Sequence, residues 1–239
     1  MPNKVMVVLG GSRGIGAAVA RMAAARGWSV ALTYHSGAVE AQALADEIDA
    51  AGGVARALPC DVADEASIAR TFAEAARLGP VGAMVYSSGI TGAASPLAQA
   101  EADTLRQVVG VNLVGAMLAA REAVRAMPQG GAITFISSRA SDRGSAGEYV
   151  WYAATKGGVN SLAIGLSKEV AAQGIRVNCV SPGPVATEML SPQRQAQGAA
   201  AVPMQRVGQP QEIAEAVLFL SSDAASYVTG ANLAVAGGA

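Results

Sequence analysis

Continuous apolar runs of strand length alternate with helical segments along almost the whole chain. A strand that is apolar at every position is buried on both faces, which is typical of a parallel sheet covered by helices on both sides. The predicted strands lie at 4–9, 29–34, 54–60, 81–87, 132–137, 175–180 and 232–235, and the predicted helices at 14–26, 39–51, 64–78, 101–127, 149–173 and 211–220. This order predicts an α/β fold, a doubly wound parallel sheet of about seven strands with helices on both faces.

One segment interrupts the alternation. Residues 183–204 contain several prolines and few periodic apolar positions, so they are predicted to be an irregular loop. Long irregular loops in compact domains are often lids over a site. We therefore expect a single Rossmann-type domain over residues 1–239, with a lid over its site at 183–204.

The composition excludes several classes of function. The formal net charge of the 239 residues is -1, so no basic face for nucleic acid is expected. No apolar run approaches the ~20 residues that cross a bilayer, so no membrane partner is expected either. His35 is the only histidine and no Cys-x-x-Cys motif occurs, so we expect no metal site. Cys60 and Cys179 lie in apolar runs, which predicts buried free thiols in a reducing, cytoplasmic compartment.

A glycine-rich turn follows the first predicted strand. Spaced glycines allow a tight turn, close approach of the main chain to a phosphate, and close packing of the next helix. That helix presents unpaired N–H groups and the positive end of its dipole to an anion. The turn therefore predicts a dinucleotide site made by Gly10, Ser12, Arg13, Gly14, Ile15 and Gly16.

The end of the second predicted strand indicates which dinucleotide binds. The strand ends in Tyr34-His35-Ser36, without the acidic residue that usually holds the ribose of NAD; the first acid is Glu40, in the next helix. Arg13, with His35 and Ser36 as further donors, can instead meet a 2′-phosphate. The sequence favours NADP(H) over NAD as the cofactor.

Tyr152 and Lys156 form a Tyr-x-x-x-Lys pair in the helix predicted at 149–173. Four residues is about one helical turn, so both side chains leave the same face. An ammonium there is expected to lower the pKa of the phenol from its ordinary value near ~10. A tyrosine tuned in this way can donate and accept a proton, so the pair predicts an enzyme.

Taken in order, these motifs resemble those of the short-chain dehydrogenases/reductases over essentially the whole chain. The matching residues are Gly10, Gly14, Gly16, Asp61, Val62, Gly89, Asn112, Ile136, Ser137, Ser138, Tyr152, Lys156, Asn178, Pro182, Gly183, Gly230, Gly237 and Gly238. The resemblance implies hydride transfer between a nicotinamide cofactor and a small carbonyl or alcohol substrate, whose identity stays open.

The resemblance also implies roles for individual residues. Tyr152 is the acid/base, and Lys156 binds the nicotinamide ribose and lowers the pKa of that tyrosine. Ser138 hydrogen-bonds the substrate oxygen, and Asn112 supports a water that relays protons to Lys156. The cofactor contacts that it implies, including adenine contacts at 61 and 62 and a carboxamide contact at 187, are Asp61, Val62, Ser88, Gly89, Tyr152, Lys156, Pro182, Gly183, Val185 and Thr187.

The chain departs from the family pattern at a few positions. Leu9 stands where the family often has threonine, so one hydrogen bond that steadies the phosphate loop is expected to be lost. Tyr86 and Ser87 replace the usual asparagines, and Ala236 replaces a common aspartate. The interval between Ser138 and Tyr152 is one residue longer than is usual in the family.

Three functions remain open at this point. The first is an NADP-dependent oxidoreductase that interconverts a carbonyl and an alcohol. The others are an NAD-dependent sugar or polyol dehydrogenase and a non-catalytic dinucleotide-sensing protein. Small residues on several faces of the helix at 149–173 indicate burial on more than one side, and with the family resemblance this predicts a homotetramer.

Overall fold

In the computed structural model, residues 4–239 are described and form a seven-stranded parallel sheet. The strands are Val5–Leu9 (β1), Ser29–Tyr34 (β2), Val54–Pro59 (β3), Val81–Tyr86 (β4), Gly131–Ile136 (β5), Ile175–Pro182 (β6) and Asn232–Val235 (β7). They pair in the order β3-β2-β1-β4-β5-β6-β7. The order reverses between β1 and β4, and ligands of such sheets bind outside the carboxyl ends of the strands at this point.

Helices cover both faces of this sheet. They are Gly14–Ala25 (α1), Ala38–Ala50 (α2), Glu65–Ala76 (α3), Ala102–Val109 (α4), Gly115–Ala126 (α5), Ala140–Arg143 (α6), Val150–Val170 (α7), Pro192–Ala201 (α8) and Pro210–Ser221 (α9). Alternate residues of β1 point to opposite faces. Val5 and Val7 join a core with α3, α5 and α7, whereas Met6 and Val8 join a core with α1, α2 and α9. The predicted fold class is confirmed.

Two predicted elements were wrong in detail. The helix expected at 101–127 is interrupted by a π-helical turn, Gly110–Val114, between α4 and α5. The loop expected at 183–204 contains α8, which begins with Pro192 in its first turn. Ser191 caps this helix, because its hydroxyl accepts a hydrogen bond from the Arg194 N–H (3.3 Å). Proline at the first helical position and serine at the cap are favourable, so α8 has local support.

The stretch Ala102–Ala126 has the length and composition of a membrane span, with 25 residues and a mean hydropathy of 1.2. From the sequence, we expected no apolar run long enough to cross a membrane. Within α5, however, Ala116, Ala119 and Ala123 are fully buried against the sheet. Packing in the core therefore accounts for part of the apolar character of this stretch, while Val109, Val114 and Met117 are exposed.

Candidate active site

Nearly all predicted site residues lie at one edge of the sheet. They follow the carboxyl ends of β1, β2, β3, β4, β5 and β6, apart from Asn112, Tyr152 and Lys156, which come from the π turn and α7. The predicted cofactor residues at this edge are Gly10, Ser12, Arg13, Gly14, Ile15 and Gly16 after β1, Tyr34, His35 and Ser36 at the end of β2, Asp61 and Val62 after β3, Ser88 and Gly89 after β4, and Pro182, Gly183, Val185 and Thr187 at the end of β6.

The phosphate loop has no room for side chains at its glycines. A Cβ at Gly10, whose φ is +76°, would lie 2.8 Å from the Ser88 main-chain nitrogen. A Cβ at Gly16 would lie 2.1 Å from the Gly10 carbonyl oxygen. Arg13, at the N-cap of α1, makes no capping hydrogen bond with its side chain, so the first N–H groups of α1 remain open to an anion. These features fit the pyrophosphate of a dinucleotide.

Two hydrogen bonds to Thr33 of β2 hold this loop in place. The Gly10 N–H donates to the Thr33 hydroxyl (3.0 Å), and the Gly11 N–H donates to the Thr33 carbonyl (2.9 Å). Thr33 is buried, with 1% of its surface exposed. The bond expected to be lost at Leu9 is therefore supplied by a residue on the neighbouring strand.

The residues predicted to select the cofactor are exposed at this edge. The Arg13 guanidinium donates to the Glu188 carboxylate (3.2 Å), and His35 Nε2 lies 3.9 Å from Asp61 Oδ2. The Glu40 carboxylate turns back toward Gly37 at the N-terminus of α2, where the helix dipole favours an acid. Exposed ion pairs of this kind contribute little stability, so Arg13 is free to exchange partners.

An open groove of about 610 Å³ lies between the phosphate loop and the segment 186–195, which contains the start of α8. Its walls include Gly14 on one side and Thr187, Glu188 and Gln195 on the other. A Cβ at Gly14 would lie 3.2 Å from Thr187 Cγ2, so the two segments approach closely. The groove continues the phosphate site along the edge of the sheet.

Asn112 is fully buried in the π turn and ties it to the end of β4. Its Oδ1 accepts from the Ile90 N–H (2.9 Å), and its Nδ2 donates to the Ile90 carbonyl (2.9 Å) and to Thr155 Oγ1 (3.2 Å). Thr155 in turn donates to the Tyr152 carbonyl (2.7 Å). The sequence reading did not single out Thr155, although it directly precedes Lys156 in the motif.

Lys156 is buried within the same cluster. Its Nζ donates to the Ile136 carbonyl (2.7 Å) at the end of β5, and burial lowers the pKa of Lys156 to about 8. A Cβ at Gly89 would lie 3.5 Å from both Lys156 Nζ and Asn112 Oδ1. The structure therefore brings Asn112 and Lys156 together around Gly89.

Contrary to the expectation from the sequence, Lys156 does not lower the pKa of Tyr152. Burial raises the pKa of Tyr152, and interaction with the Ser138 hydroxyl is what lowers it, not Lys156. Lys156 Nζ is 5.6 Å from the centre of the phenol ring and is hydrogen-bonded to a carbonyl instead. The Ser138 hydroxyl also accepts from the Ala140 N–H (3.0 Å). At neutral pH this phenol is protonated, which suits a proton donor to a substrate oxygen.

Helix α8 packs against the start of α7. The Arg194 guanidinium lies 5.1 Å from the ring centre of Tyr149 and pairs with the Glu148 carboxylate (3.2 Å). In the first turn of α7, Trp151 donates from its indole to the Thr91 carbonyl (2.7 Å). Within residues 4–239, no group of three or more His, Cys, Asp or Glu side chains could hold a metal ion.

Comparison with known proteins identifies the family. A family model described as Enoyl-(Acyl carrier protein) reductase matches residues 10–239. The chain is 43% identical to the uncharacterized oxidoreductase YgfF of Escherichia coli (98% of this chain, 99% of the relative) and 38% identical to the 3-oxoacyl-(acyl-carrier-protein) reductase of Rattus norvegicus (99% and 98%). A crystal structure of a blue fluorescent protein from a metagenomic library, in complex with NADPH, has a TM-score of 0.93 at 38% identity (98% and 97%). The chain belongs to the short-chain dehydrogenase/reductase family of oxidoreductases.

Proposed function

We propose that this protein is an NADP(H)-dependent oxidoreductase that interconverts a carbonyl and an alcohol, with Tyr152 as the acid/base. The observation that carries the proposal is the cluster of Ser138, Tyr152, Lys156 and Asn112 beside an uncapped phosphate-binding helix. The names of the relatives support an oxidoreductase. The polar cluster next to the groove also favours an enzyme over a dinucleotide-sensing protein, since a sensor has no need of such a cluster.

The residues of the cluster divide the chemical work. The bound cofactor supplies or removes the hydride at the carbon of the substrate. In the reducing direction negative charge grows on the substrate oxygen, and the hydroxyls of Ser138 and Tyr152 stabilise it by hydrogen bonding. Tyr152 then gives its proton to that oxygen, and the resulting phenolate regains a proton by way of Lys156. Asn112 holds the end of this route in place.

We propose NADP(H) rather than NAD because Arg13 lies at the phosphate loop, where it can meet a 2′-phosphate, and β2 ends in Tyr34, followed by His35 and Ser36 rather than by an acid. Among residues 4–239, the ion-pair partner of Arg13 is Glu188, an exposed residue of the lid segment that Arg13 can exchange for a phosphate. The known structure with 38% identity is an NADPH complex. Glu40, the first acid after β2 in the chain, lies at the N-terminus of α2, where the helix dipole favours a negative charge.

Replacing Arg13 with alanine is expected to weaken NADPH binding by about tenfold, because an exposed charge-assisted bond to a phosphate is lost. NADH binding is expected to stay within about twofold. Titration of cofactor fluorescence measures both constants, with Arg21→Ala as the control, since Arg21 lies in α1, which begins directly after Arg13, but pairs with Glu47. Tighter binding of NADH than of NADPH by the parent protein would end this proposal and favour a sugar or polyol dehydrogenase.

The substrate class is a small carbonyl compound in this proposal, and the segment 183–204, with α8, is its lid. Because the rat relative is named a 3-oxoacyl-(acyl-carrier-protein) reductase, β-keto thioesters are one class of substrate to test. A panel of ketones, aldehydes, quinones and β-keto esters, assayed with NADPH, tests the class directly. The buried free thiols of Cys60 and Cys179 suit a reducing compartment such as the cytoplasm.

We also propose that the protein is a homotetramer. Apolar side chains are exposed on α5 and α7, among them Met117 (45%) and Ile164 (47%). A Cβ at Gly157 or Gly165 of α7 would meet nothing within 4 Å, so this face of α7 is open. An exposed apolar face of two adjacent helices is a surface that a second copy of the chain can cover.

Light scattering after size exclusion is expected to give four times the chain mass of 23.8 kDa. Ile164→Asp is expected to produce a smaller species, because it places a charge on the open face. Val39→Asp is the control, since Val39 lies on α2 and is also exposed (81%). A parent protein that elutes with the mass of one chain would contradict the tetramer.

A further inference from the structure

The π turn has an unusual hydrogen-bond register. In an α-helix the Gly115 N–H would donate to the Val111 carbonyl, four residues earlier. Here it donates to the Gly110 carbonyl, five residues earlier. Single π turns are uncommon and cost hydrogen-bond geometry, so something must stabilise this one against a continuous α-helix.

The hydroxyl of Tyr86 occupies the position of the missing helical donor. It donates to the Val111 carbonyl at 2.5 Å. The ring is buried, with 1% of the residue exposed, and its centre lies 6.4 Å from that of Phe135. Burial raises the pKa of Tyr86, so its hydroxyl stays a neutral donor. Tyr86 is also one of the positions at which the chain departs from the family pattern.

Gly115 provides the room for this contact. A Cβ at Gly115 would lie 2.5 Å from the Tyr86 oxygen and 2.6 Å from the Val62 carbonyl oxygen. Any side chain at this position would therefore push the phenol away from the turn. Gly115 therefore leaves room for the Tyr86 hydroxyl. A phenylalanine at position 86 has no hydroxyl and would not need that room.

The same turn presents Asn112 to the active site. Asn112 reaches Ile90 and Thr155 from the middle of the π turn. Each residue of an α-helix turns by about 100°, so a change from π to α register would re-aim the side chains of the turn by roughly that amount. The Asn112 amide could not then keep its three hydrogen bonds while α5 stays packed in the core.

We infer that Tyr86 is a positioning residue, whose hydroxyl holds the π turn so that Asn112 is aimed at the site of proton relay. The inference rests on the proposed function, in which Asn112 supports the proton route to Lys156. Tyr86 touches neither substrate nor cofactor in this account. It acts through the Val111 carbonyl, which is one residue before Asn112.

A double-mutant cycle between Tyr86→Phe and Asn112→Ala tests this inference, with single-turnover NADPH oxidation as the readout. Phenylalanine keeps the ring in the core and removes only the hydroxyl. Tyr86→Phe is expected to lower the rate by about tenfold in the parent background and by less than about twofold in Asn112→Ala, because the two residues act on one step. The NADPH dissociation constant is expected to change by less than about twofold.

Tyr227→Phe is the matched control, because it removes the hydroxyl of a fully exposed tyrosine and should leave the rate unchanged. Equal losses in both backgrounds, or no loss from Tyr86→Phe, would overturn the inference. Should Tyr86→Phe fail to fold, Tyr86→Met, which also removes the hydroxyl and has a flexible apolar side chain that can fill the core, enters the same cycle with the same expected pattern. An inactive parent protein would instead count against the proposed function, so the two failures are distinguishable.

Discussion

Replacing Tyr152 with phenylalanine is expected to lower kcat for carbonyl reduction by about 10²–10⁴-fold, the usual contribution of a positioned general acid. The phenol is protonated at neutral pH, since its ordinary pKa is already near ~10 and burial raises it further, so it holds the proton that carbonyl reduction requires. Phenylalanine fills the same space but has no proton to give. Steady-state NADPH oxidation measures the loss, and fluorescence titration is expected to show NADPH binding within about twofold of the parent.

Tyr227→Phe again serves as the control, since Tyr227 is fully exposed and lies in the segment between α9 and β7. An enzyme should lose turnover through Tyr152→Phe alone. A dinucleotide sensor would be indifferent to both substitutions. Retention of more than about a tenth of the parent rate would remove Tyr152 from the role of acid/base.

Lys156→Met is expected to lower kcat by at least about 10²-fold, because the substitution removes the buried cation next to the phenol. It is also expected to change how stability depends on pH. Burial lowers the pKa of Lys156 to about 8 in the folded protein, whereas an unfolded lysine titrates near ~10.4. Between these values the unfolded chain keeps a proton that the folded chain has lost. The parent protein should therefore gain stability relative to Lys156→Met as pH rises, by up to ~1.4 kcal/mol per pH unit.

Below a pH of about 8, Lys156 is protonated in both the folded and the unfolded parent protein, so the cost of burying its charge is fully present. In this range the difference in unfolding free energy between the parent and Lys156→Met should not change with pH. Urea unfolding at pH 7, 8, 9 and 9.5 measures this difference. Lys168→Met is the control, since Lys168 is an exposed lysine of the same helix. Parallel stability curves for the parent and Lys156→Met would show that Lys156 titrates normally in the folded protein.

The sheet could be predicted because the pattern that defines it is local. Each buried strand is a short apolar run between helical segments, and the strand bounds differ from the prediction by two residues or fewer. The helix α8 was missed because its segment holds several prolines, although Ser191 and Pro192 are favourable at a helix start. The break at Gly110–Val114 was missed because the register changes through a contact with Tyr86, which is distant in sequence.

The same difference between local patterns and contacts distant in sequence applies to the candidate site. Gly10, Gly14, Gly16, Tyr152 and Lys156 belong to short motifs, and the structure places them at one edge of the sheet. The supporting contacts come from other strands and helices, so residue spacing alone could not reveal them. The Thr33 hydroxyl reaches the loop from β2, and the Ile136 carbonyl takes the hydrogen bond of Lys156. In the structure, burial raises the pKa of Tyr152 and the Ser138 hydroxyl lowers it, which the Tyr-x-x-x-Lys spacing could not reveal.

Transfer of deuterium from NADPH labelled at C4 tests the central claim most directly. The parent protein is mixed with each labelled face of the cofactor and with the carbonyl panel, and the alcohol products are examined by mass spectrometry. The account predicts that deuterium from one face only appears on the carbinol carbon, and that Tyr152→Phe lowers the rate of this transfer by about 10²–10⁴-fold while still binding NADPH. A protein that binds NADPH but transfers no label to any carbonyl compound, or transfers it equally well without the Tyr152 hydroxyl, would contradict it.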